Sequence, residues 1–264
     1  MPITPVEALS TAQRSLAAAA AHDRSGWIDL FTTDGQVEDP VGSRPHRGRA
    51  AIARFYDTFI GPRSITFDAG GDVVVGTTVV RDVELQIAMS PTLTMRVPTF
   101  IRYDVRADKG DLKIAALSAY WELPAMIVQF ARGGPAAIPS GAALGRAMLT
   151  HQGIGGCLGF LRGFRRVRAG AARRFTQLLD DACSGDEIGL RRAAAEASCF
   201  HGDTLAMTTS DLVTQLSGCS WDKLIRSGGS VAARIEGAGA RAVLIGEFGP
   251  DATLARLRLF STAA

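Results

Sequence analysis

The chain has 264 residues, of which 47% are hydrophobic and 21% are charged, and its formal net charge is +3. This balance is typical of a folded globular protein and excludes an intrinsically disordered chain. The small net charge and the aromatic content of 7% argue against nucleic-acid binding, which needs basic residues clustered among stacking aromatics. We therefore predict no nucleic-acid partner, and the length allows one large domain or two ordinary ones.

The N-terminal residues show no basic region followed by an apolar core, so we predict no secretory signal and a cytoplasmic location. The longest apolar stretch, residues 143–161, is interrupted by Arg146 and by glycines, which argues against a membrane-spanning helix. No CxxC pair accompanies the widely spaced cysteines, which are Cys157, Cys183, Cys199 and Cys219. This spacing predicts reduced cysteines and no metal site. We also expect no cofactor.

The first half of the chain changes its hydrophobic period. Helical spacing and a run of alanines predict a helix over residues 4–22, followed by a short helix that begins at WIDLF. A brief extended piece, QVED, ends at Pro40, and a third helix is predicted from Arg49 to Ile60. From residue 64 the period becomes two, which predicts long antiparallel strands up to Leu123. Helices followed by such strands indicate an α+β unit.

The second half repeats this order in shortened form after a connecting segment. Residues 131–164 include the glycine- and proline-rich run ARGGPAAIPSG and are predicted to be a linker. From residue 165 a helix, a Ser-Gly break, a short helix, an extended piece and a helix capped by Ser210 precede further strands. We therefore predict two α+β domains, residues 1–130 and 165–264, the second a smaller copy of the first.

An arginine-rich run follows the predicted linker. Residues 161–174 carry six arginines and no acidic residue. Such a run indicates either a solvated helix face or a surface that attracts an anionic partner.

The stretch TTDGQVEDPVGSRPHRGRAAIARFY resembles the corresponding part of bacterial Δ5-3-ketosteroid isomerases, without gaps from about Ser15 to Tyr56. The segments VPTFIRYDV and SAYWEL are also similar to that family. The resemblance implies the cone-shaped α+β fold of the nuclear transport factor 2 (NTF2) and SnoaL-like superfamily. In this fold, helices pack on a curved antiparallel sheet around a deep apolar pocket. The repeat extends the same expectation to the second domain, as a degenerate copy without a recognisable site.

The resemblance also implies a catalytic set. In that family the aspartate that matches Asp39 is the base that moves a proton between two carbons of the steroid. The tyrosine and the protonated aspartic acid of its oxyanion hole fall at Ser15 and Thr99, whose hydroxyls are weaker donors. Losing one oxyanion donor typically slows turnover about 100- to 1,000-fold. Asp39 precedes Pro40, so its alternative role is that of a residue that starts a turn.

The predicted ligand-binding residues come from the same comparison and from periodicity. Tyr56 and Trp121 match pocket positions of the family, and Phe55 belongs to the same apolar helix face as Tyr56. Val97 and Ile101 alternate with Thr99 on one strand face. The complete set is Tyr56, Phe55, Val97, Ile101 and Trp121.

Several other residues have two interpretations. His46 is predicted to be a solvent-exposed loop residue. Cys199 and His201 lie two residues apart in a predicted strand, which suits a thiol nucleophile with its base or a buried structural cysteine. Asp82 and Arg96 are candidates for the Asp-Arg-Asp arrangement of epoxide hydrolases with this fold, or for exposed strand charges.

The sequence supports three functional hypotheses. The first is an isomerase of the steroid Δ-isomerase type, which moves a proton next to a carbonyl of a steroid-like or polyketide-like substrate. The second is a non-catalytic binder of a flat apolar molecule, in which Asp39 orients a ligand hydroxyl. The third is an assembly module, in which the second domain and the arginines dock a protein or an anionic surface. We also expect the two domains to pair as an intrachain pseudo-dimer, or the chain to form a homodimer.

Overall fold

A computed structural model describes residues 3–237 and 240–261 of the chain. The first domain contains helices α1 (Pro5–Ala20), α2 (Arg24–Asp29) and α3 (Arg49–Phe55), and strands β1 (Phe31–Glu38), β2 (His46–Arg47), β3 (Ser64–Val75), β4 (Thr78–Ser90), β5 (Leu93–Asp108) and β6 (Asp111–Tyr120). Two helices follow it, α4 (Leu123–Ala131) and α5 (Ile138–Leu161). The second domain contains helices α6 (Ala169–Ser184), α7 (Glu187–Ala193) and α8 (Thr209–Leu216), and strands β7 (Ser198–His201), β8 (Leu205–Ala206), β9 (Ser220–Ser227), β10 (Ser230–Gly237), β11 (Ala240–Phe248) and β12 (Leu254–Ser261).

Each domain folds its strands into one six-stranded sheet, and the two sheets have equivalent strand orders. These orders are β2-β1-β6-β5-β4-β3 and β8-β7-β12-β11-β10-β9. The predicted duplication is therefore present as two α+β domains with the same topology. One detail differs from the prediction: β1 runs parallel to β6, and β7 runs parallel to β12, so both sheets are mixed rather than wholly antiparallel.

The alternation of β5 decides which residues reach the interior of the first domain. Met95, Val97, Ile101 and Tyr103 face the helices, whereas Phe100 faces the second domain. Helix α1 covers this sheet with a buried face of mostly small side chains, Ala8, Thr11, Ala12, Ser15, Leu16 and Ala19. Small residues let the helix lie close to the strands, so the part of the cone beneath α1 is filled.

The segment between the domains is helical rather than irregular. Residues 131–164, predicted as a linker, contain α5 and two short 3-10 turns. Within α5 only Gly153 leaves the helical conformation, at φ 65° and ψ 179°, and it separates two helical halves. Glycine and proline content predicted a connecting segment but not its helices, because most of these glycines adopt ordinary helical angles. No helix within residues 3–237 and 240–261 combines the length and apolarity needed to cross a membrane.

Two further differences concern the second domain. Helix α8 is capped by Thr208, not by the predicted Ser210, because the Thr208 hydroxyl accepts a hydrogen bond from the backbone N–H of Asp211 and the Asp211 carboxylate bonds back to Thr208. Strand β9 was not predicted, since the apolar alternation is broken by Asp222 and Lys223 in its sequence.

The two sheets pack face to face through their outer surfaces. The first domain contributes Val73, Val80, Phe100 and Tyr120, and the second contributes Ile225, Ala232, Val243, Ile245 and Phe260. All of these side chains are buried. The chain therefore forms the expected pairing of its two domains within one molecule.

A β-bulge carries a buried ion pair across this interface. Lys223 is the unpaired residue of the bulge in β9 and has φ 40°, a conformation uncommon for a residue with a side chain. Its ammonium group donates to Asp82 and to the carbonyl oxygens of Val83 (2.9 Å) and Thr99 (3.1 Å). Asp82 also accepts a hydrogen bond from Arg234 at 2.9 Å. The bulge thus directs a cation of the second domain onto a buried carboxylate of the first.

Candidate functional site

An apolar cavity of about 110 Å³ opens at one end of the first domain. Its floor is the inner face of β3, β4 and β5, and its roof includes Leu144 and Phe160 of α5. The sheet contributes Ile65, Leu85, Ile87, Met89, Met95 and Val97. Two ionisable side chains, Asp39 and Arg63, also line it. Arg63 is anchored beside the cavity because its Nη1 donates to the carbonyl oxygens of Thr58 (2.8 Å) and Phe59 (3.2 Å).

Asp39 and Trp121 meet because their strands are neighbours. The parallel pairing of β1 with β6 brings both strand ends to the same edge of the cone, with Glu38 opposite Ser118. Asp39 follows β1 directly, and Trp121 follows β6 directly. The indole Nε1 of Trp121 donates to Oδ1 of Asp39 at 2.5 Å. The peptide bond between Asp39 and Pro40 is cis.

The cavity perturbs the Asp39 carboxyl group strongly. Burial disfavours its charged form and raises its pKa from 3.8 to about 6, although the hydrogen bond from Trp121 acts in the opposite direction. The residue as a whole keeps a small solvent-accessible surface, while the carboxyl group lies among apolar side chains. A carboxyl group with this pKa can accept and return a proton near neutral pH.

The second domain touches the loop that follows Asp39. The carbonyl oxygen of Val41 accepts a hydrogen bond from the Ser227 hydroxyl at 3.0 Å. A β-carbon on Gly42 would lie 2.4 Å from the Cα of Gly228, so the two backbones pass in direct contact. Neither glycine can carry a larger side chain without a shift of one loop. Through this contact the second domain supports the backbone that follows Asp39.

The structure separates the predicted ligand-binding residues into two groups. Phe55, Val97 and Trp121 line the cavity, but Tyr56 and Ile101 do not. Tyr56 packs against Trp27, with ring centroids 5.5 Å apart, since consecutive helical residues point about 100° apart and Phe55 takes the inward direction. Ile101 lies in the core about 13 Å along β5 from Val97, beneath the filled part of the cone.

The two predicted oxyanion donors also lie outside the cavity lining. The Thr99 hydroxyl donates to the carbonyl oxygen of Val97 at 2.9 Å, so its own strand uses the donor. Ser15 is buried on α1 beside the Tyr103 hydroxyl, but the two groups do not meet the geometric criteria for a hydrogen bond. Ser15 and Thr99 therefore do not form a donor pair facing Asp39, which corrects their predicted role.

Tyr103 is an ionisable residue of the interior that the site prediction left out. Burial raises the pKa of its hydroxyl to about 12, and the charge of Asp39 adds to this effect, so the hydroxyl stays protonated. Ser15 and Arg81 act in the opposite direction. The alternation that puts Thr99 on the inner face of β5 also puts Tyr103 there, so the pattern contained the signal.

The charges of β4 fall on both faces of the sheet. Arg81 points into the cone, where its Nε donates to Asp72 at 2.8 Å and its guanidinium lies 5.6 Å from the Phe67 ring centroid. Asp82 points the other way, into the interface with the second domain. Arg96 makes an exposed pair with Glu84 at 3.0 Å. Asp82 and Arg96 thus do not form an epoxide-hydrolase arrangement, and Asp82 is buried rather than exposed.

The remaining candidates do not form a second site. His46 is half-buried against Phe55, with ring centroids 5.1 Å apart, and burial lowers its pKa to about 4, so it is not the exposed loop residue predicted. Burial raises the pKa of the Cys199 thiol, which opposes formation of a nucleophilic thiolate. His201 Nε2 lies 3.1 Å from the Ser261 hydroxyl oxygen.

Large side chains of α6 occupy the cone of the second domain, and a cavity of about 300 Å³ opens beside Phe175 and Leu178. Phe175, Leu178 and Leu179 of α6 are fully buried in the cone, and a β-carbon on Gly246 would lie 2.5 Å from the Phe175 ring. Among residues 3–237 and 240–261, no three histidine, cysteine, aspartate or glutamate side chains are grouped to hold a metal ion.

Comparison with known proteins gives matches that fall on the first domain. The family model described as SnoaL-like domain matches residues 12–113. The chain is 26% identical to RV0760c from Mycobacterium tuberculosis, solved in complex with estradiol-17beta-hemisuccinate, over 45% of this chain and 95% of that one, with a TM-score of 0.41. It is 29% identical to the Delta 5-3-ketosteroid isomerase from Mycobacterium sp., over 47% and 98%, with a TM-score of 0.41.

A third solved structure, an LEH-like epoxide hydrolase from M. tuberculosis, is 18% identical over 49% of this chain and 92% of that one, with a TM-score of 0.42. Each of these proteins is similar to this chain over nearly its own whole length and over less than half of this one. The family match therefore shows that the first domain is similar to SnoaL-like domains over most of its length.

Proposed function

We propose that the first domain binds a flat apolar molecule of steroid-like or polyketide-like character, and that Asp39 moves a proton next to a carbonyl group of that molecule. The observation that carries the proposal is the Asp39 carboxyl group, which lies in an apolar cavity with a pKa of about 6. Near neutral pH its ionised form accepts a proton from a carbon next to the carbonyl. The protonated form then returns the proton to another carbon, so no co-reactant is consumed.

Trp121 positions the base in this scheme. Its Nε1 donates to Oδ1 of Asp39, which leaves Oδ2 as the oxygen that exchanges the proton. The enolate formed in between needs hydrogen-bond donors, and the Thr99 hydroxyl is bonded to Val97 instead. Each missing oxyanion donor typically costs a factor of about 100 to 1,000 in turnover. We therefore expect turnover well below that of an enzyme with two strong donors.

The size of the cavity adds a condition for binding. Ligand pockets usually enclose roughly 300–1,000 Å³, whereas this cavity measures about 110 Å³. Phe160 of α5 stacks on Phe59, with ring centroids 5.3 Å apart, and closes part of the opening. A four-ring ligand therefore requires α5 to move away from the sheet. A ligand small enough for the present cavity binds without that movement.

A second candidate function is binding without catalysis. The observation that favours it is the position of Ser15 and Thr99, whose hydroxyls do not face the cavity. In this case Asp39 accepts a hydrogen bond from a ligand hydroxyl and contributes orientation only.

The test uses the full chain and a 5-ene-3-ketosteroid, followed by the absorbance of the conjugated product. We expect Asp39→Asn to lower kcat at least 100-fold, the usual contribution of a general base, while steroid affinity stays within about threefold. The wild-type kcat/KM should rise with pH around an apparent pKa near 6. Asp251→Asn, in an exposed turn, is the matched control and should keep full activity.

The outcomes separate the two candidates. Steroid binding without turnover in the wild type would favour the non-catalytic binder. Turnover that survives in Asp39→Asn would remove the proton-transfer proposal, and the absence of both binding and turnover would remove both candidates for this ligand class.

A further inference from the structure

We infer that the surface of residues 123–164, here called the roof segment, docks the protein on an anionic lipid bilayer, from which the cavity takes up its apolar ligand. The uptake part of this inference rests on the proposed function. The docking part rests on the exposure, the charge and the position of the roof segment, and it can be tested without any ligand.

Exposed apolar side chains are concentrated in the roof segment. Eight of the eleven large apolar side chains exposed among the described residues belong to it. They are Ile127, Val128, Ile138, Leu149, Ile154, Leu158, Leu161 and Phe164. Ile154, Leu158 and Leu161 have the spacing of one helix face and are 74%, 60% and 52% exposed. Clustered exposure of this kind marks an interaction surface, unlike isolated exposed residues elsewhere.

The roof segment and the residues that directly follow it carry charge of one sign. Residues 123–179 contain eight arginines and no aspartate or glutamate. All eight are exposed, namely Arg132, Arg146, Arg162, Arg165, Arg166, Arg168, Arg173 and Arg174. Apolar side chains beside exposed cations are the composition that binds the interface of a membrane with anionic lipids.

The opposite face of α5 belongs to the ligand cavity. Phe160 and Leu144 line the cavity, and Met126 of α4 joins them. On the same side, β-carbons added to Gly159 or Gly163 would lie 2.8 Å from Arg44 and Pro40 side-chain atoms, so the helix end packs tightly on the first domain. One helix therefore presents one face to the cavity and the other to solvent. Docking through the solvent face places the cavity opening beside the lipid phase, where apolar molecules dissolve.

Charge decides between a lipid surface and a second copy of the chain as the occupant. A symmetric dimer through the roof segment would bring two arginine-rich surfaces together, and like charges across an interface are unfavourable. An anionic lipid surface complements both the arginines and the apolar side chains. We therefore assign the surface to lipid.

The experiment measures co-sedimentation of the full chain with vesicles, without steroid. Pure phosphatidylcholine vesicles are compared with vesicles that also contain phosphatidylglycerol, at low and at high salt. We expect binding to the anionic vesicles, loss of most of it at high salt, and little binding to neutral vesicles.

Two double variants separate the contributions. Arg165→Gln with Arg166→Gln should weaken binding to anionic vesicles about 25-fold, since each arginine near such a surface strengthens binding about fivefold. Ile154→Ser with Leu158→Ser should weaken it about tenfold or more, because both side chains lose their burial in lipid. Ile188→Ser is the matched control, since Ile188 is 72% exposed on α7 in the second domain. It should bind like the wild type.

Three results would overturn the inference. One is equal binding to neutral and anionic vesicles, or none to either. Another is an Ile188→Ser variant that loses as much binding as the roof variants. The third is a dimer in sedimentation velocity that Ile154→Ser with Leu158→Ser dissociates, which would assign the surface to a second copy. Because no ligand is present, failure here leaves the assignment of Asp39 untouched, and steroid binding in solution tests that separately.

Discussion

Replacing Asp39 by asparagine measures how much unfolding free energy the protein loses when the Asp39 carboxyl group is ionised in the apolar cavity. The pKa of Asp39 is about 6 in the folded state, against 3.8 for the unperturbed group. One pKa unit corresponds to about 1.4 kcal/mol, so the difference amounts to about 3 kcal/mol of unfolding free energy. This is an upper value, because the residue retains a small solvent-accessible surface.

The sign follows from the direction of the shift. Since the folded-state pKa is raised, the stability that the neutral carboxyl contributes is fully present below pH 3.8 and is lost as the pH rises through about 6. Asparagine is uncharged at every pH in this range, and its side-chain oxygen can still accept the hydrogen bond from Trp121. Relative to the wild type, Asp39→Asn should therefore become more stable by about 3 kcal/mol between about pH 4 and pH 7.

Urea unfolding of both proteins across this pH range provides the measurement. Asp251→Asn is the control with the opposite sign, because hydrogen bonds from Thr253 lower the pKa of Asp251 in an exposed turn. The wild type should gain stability relative to that variant as the pH rises through the acidic range. If the difference between Asp39→Asn and the wild type were constant with pH, the carboxyl group would not be desolvated, and the argument for a tuned base would fail.

Trp121→Phe removes the hydrogen-bond donor to Asp39, so the pKa of Asp39 should rise further above 6. An NMR titration of the Asp39 carboxyl carbon would detect this change. An unshifted or lowered pKa would contradict the role of Trp121. Lys223→Met leaves the buried Asp82 with Arg234 as its remaining cationic partner and should destabilise the chain by about 1.5–3 kcal/mol in urea unfolding. Arg96→Met, which breaks an exposed pair, should cost less than about 1 kcal/mol, and equal losses in the two variants would show that the interface pair has no special role.

Periodicity carried most of the prediction of the fold. A period of two predicted the strands of the first domain because successive side chains of a strand point to opposite faces of the sheet. The recurrence of the element order predicted the duplication. Strand β9 was not predicted because Lys223 lies in a bulge, where the alternation of side chains between the two faces of the sheet is interrupted. Local pattern cannot distinguish such a bulge from a loop.

The sequence predicted only part of the candidate site. The resemblance pointed to Asp39 and Trp121, whose positions at the ends of adjacent parallel strands bring them into contact. It also pointed to Thr99, and the alternation of the strand added Ile101; both residues have the correct strand face. Residues on the same face of a strand can lie at different depths in the cone. The cavity lining includes Val97 of β5 but neither Thr99 nor Ile101.

The sequence by itself determined most helices and strands of the two domains, the repeat and the identity of the buried carboxylate, because these depend on the local period and on a contiguous motif. Only the tertiary structure decided that the glycine-rich segment is a helix, that Phe160 on it covers the cavity, and that Lys223 crosses to Asp82. Each of these depends on contacts between residues far apart in the chain. Such contacts are set by how the two sheets and α5 pack together, which no local pattern encodes.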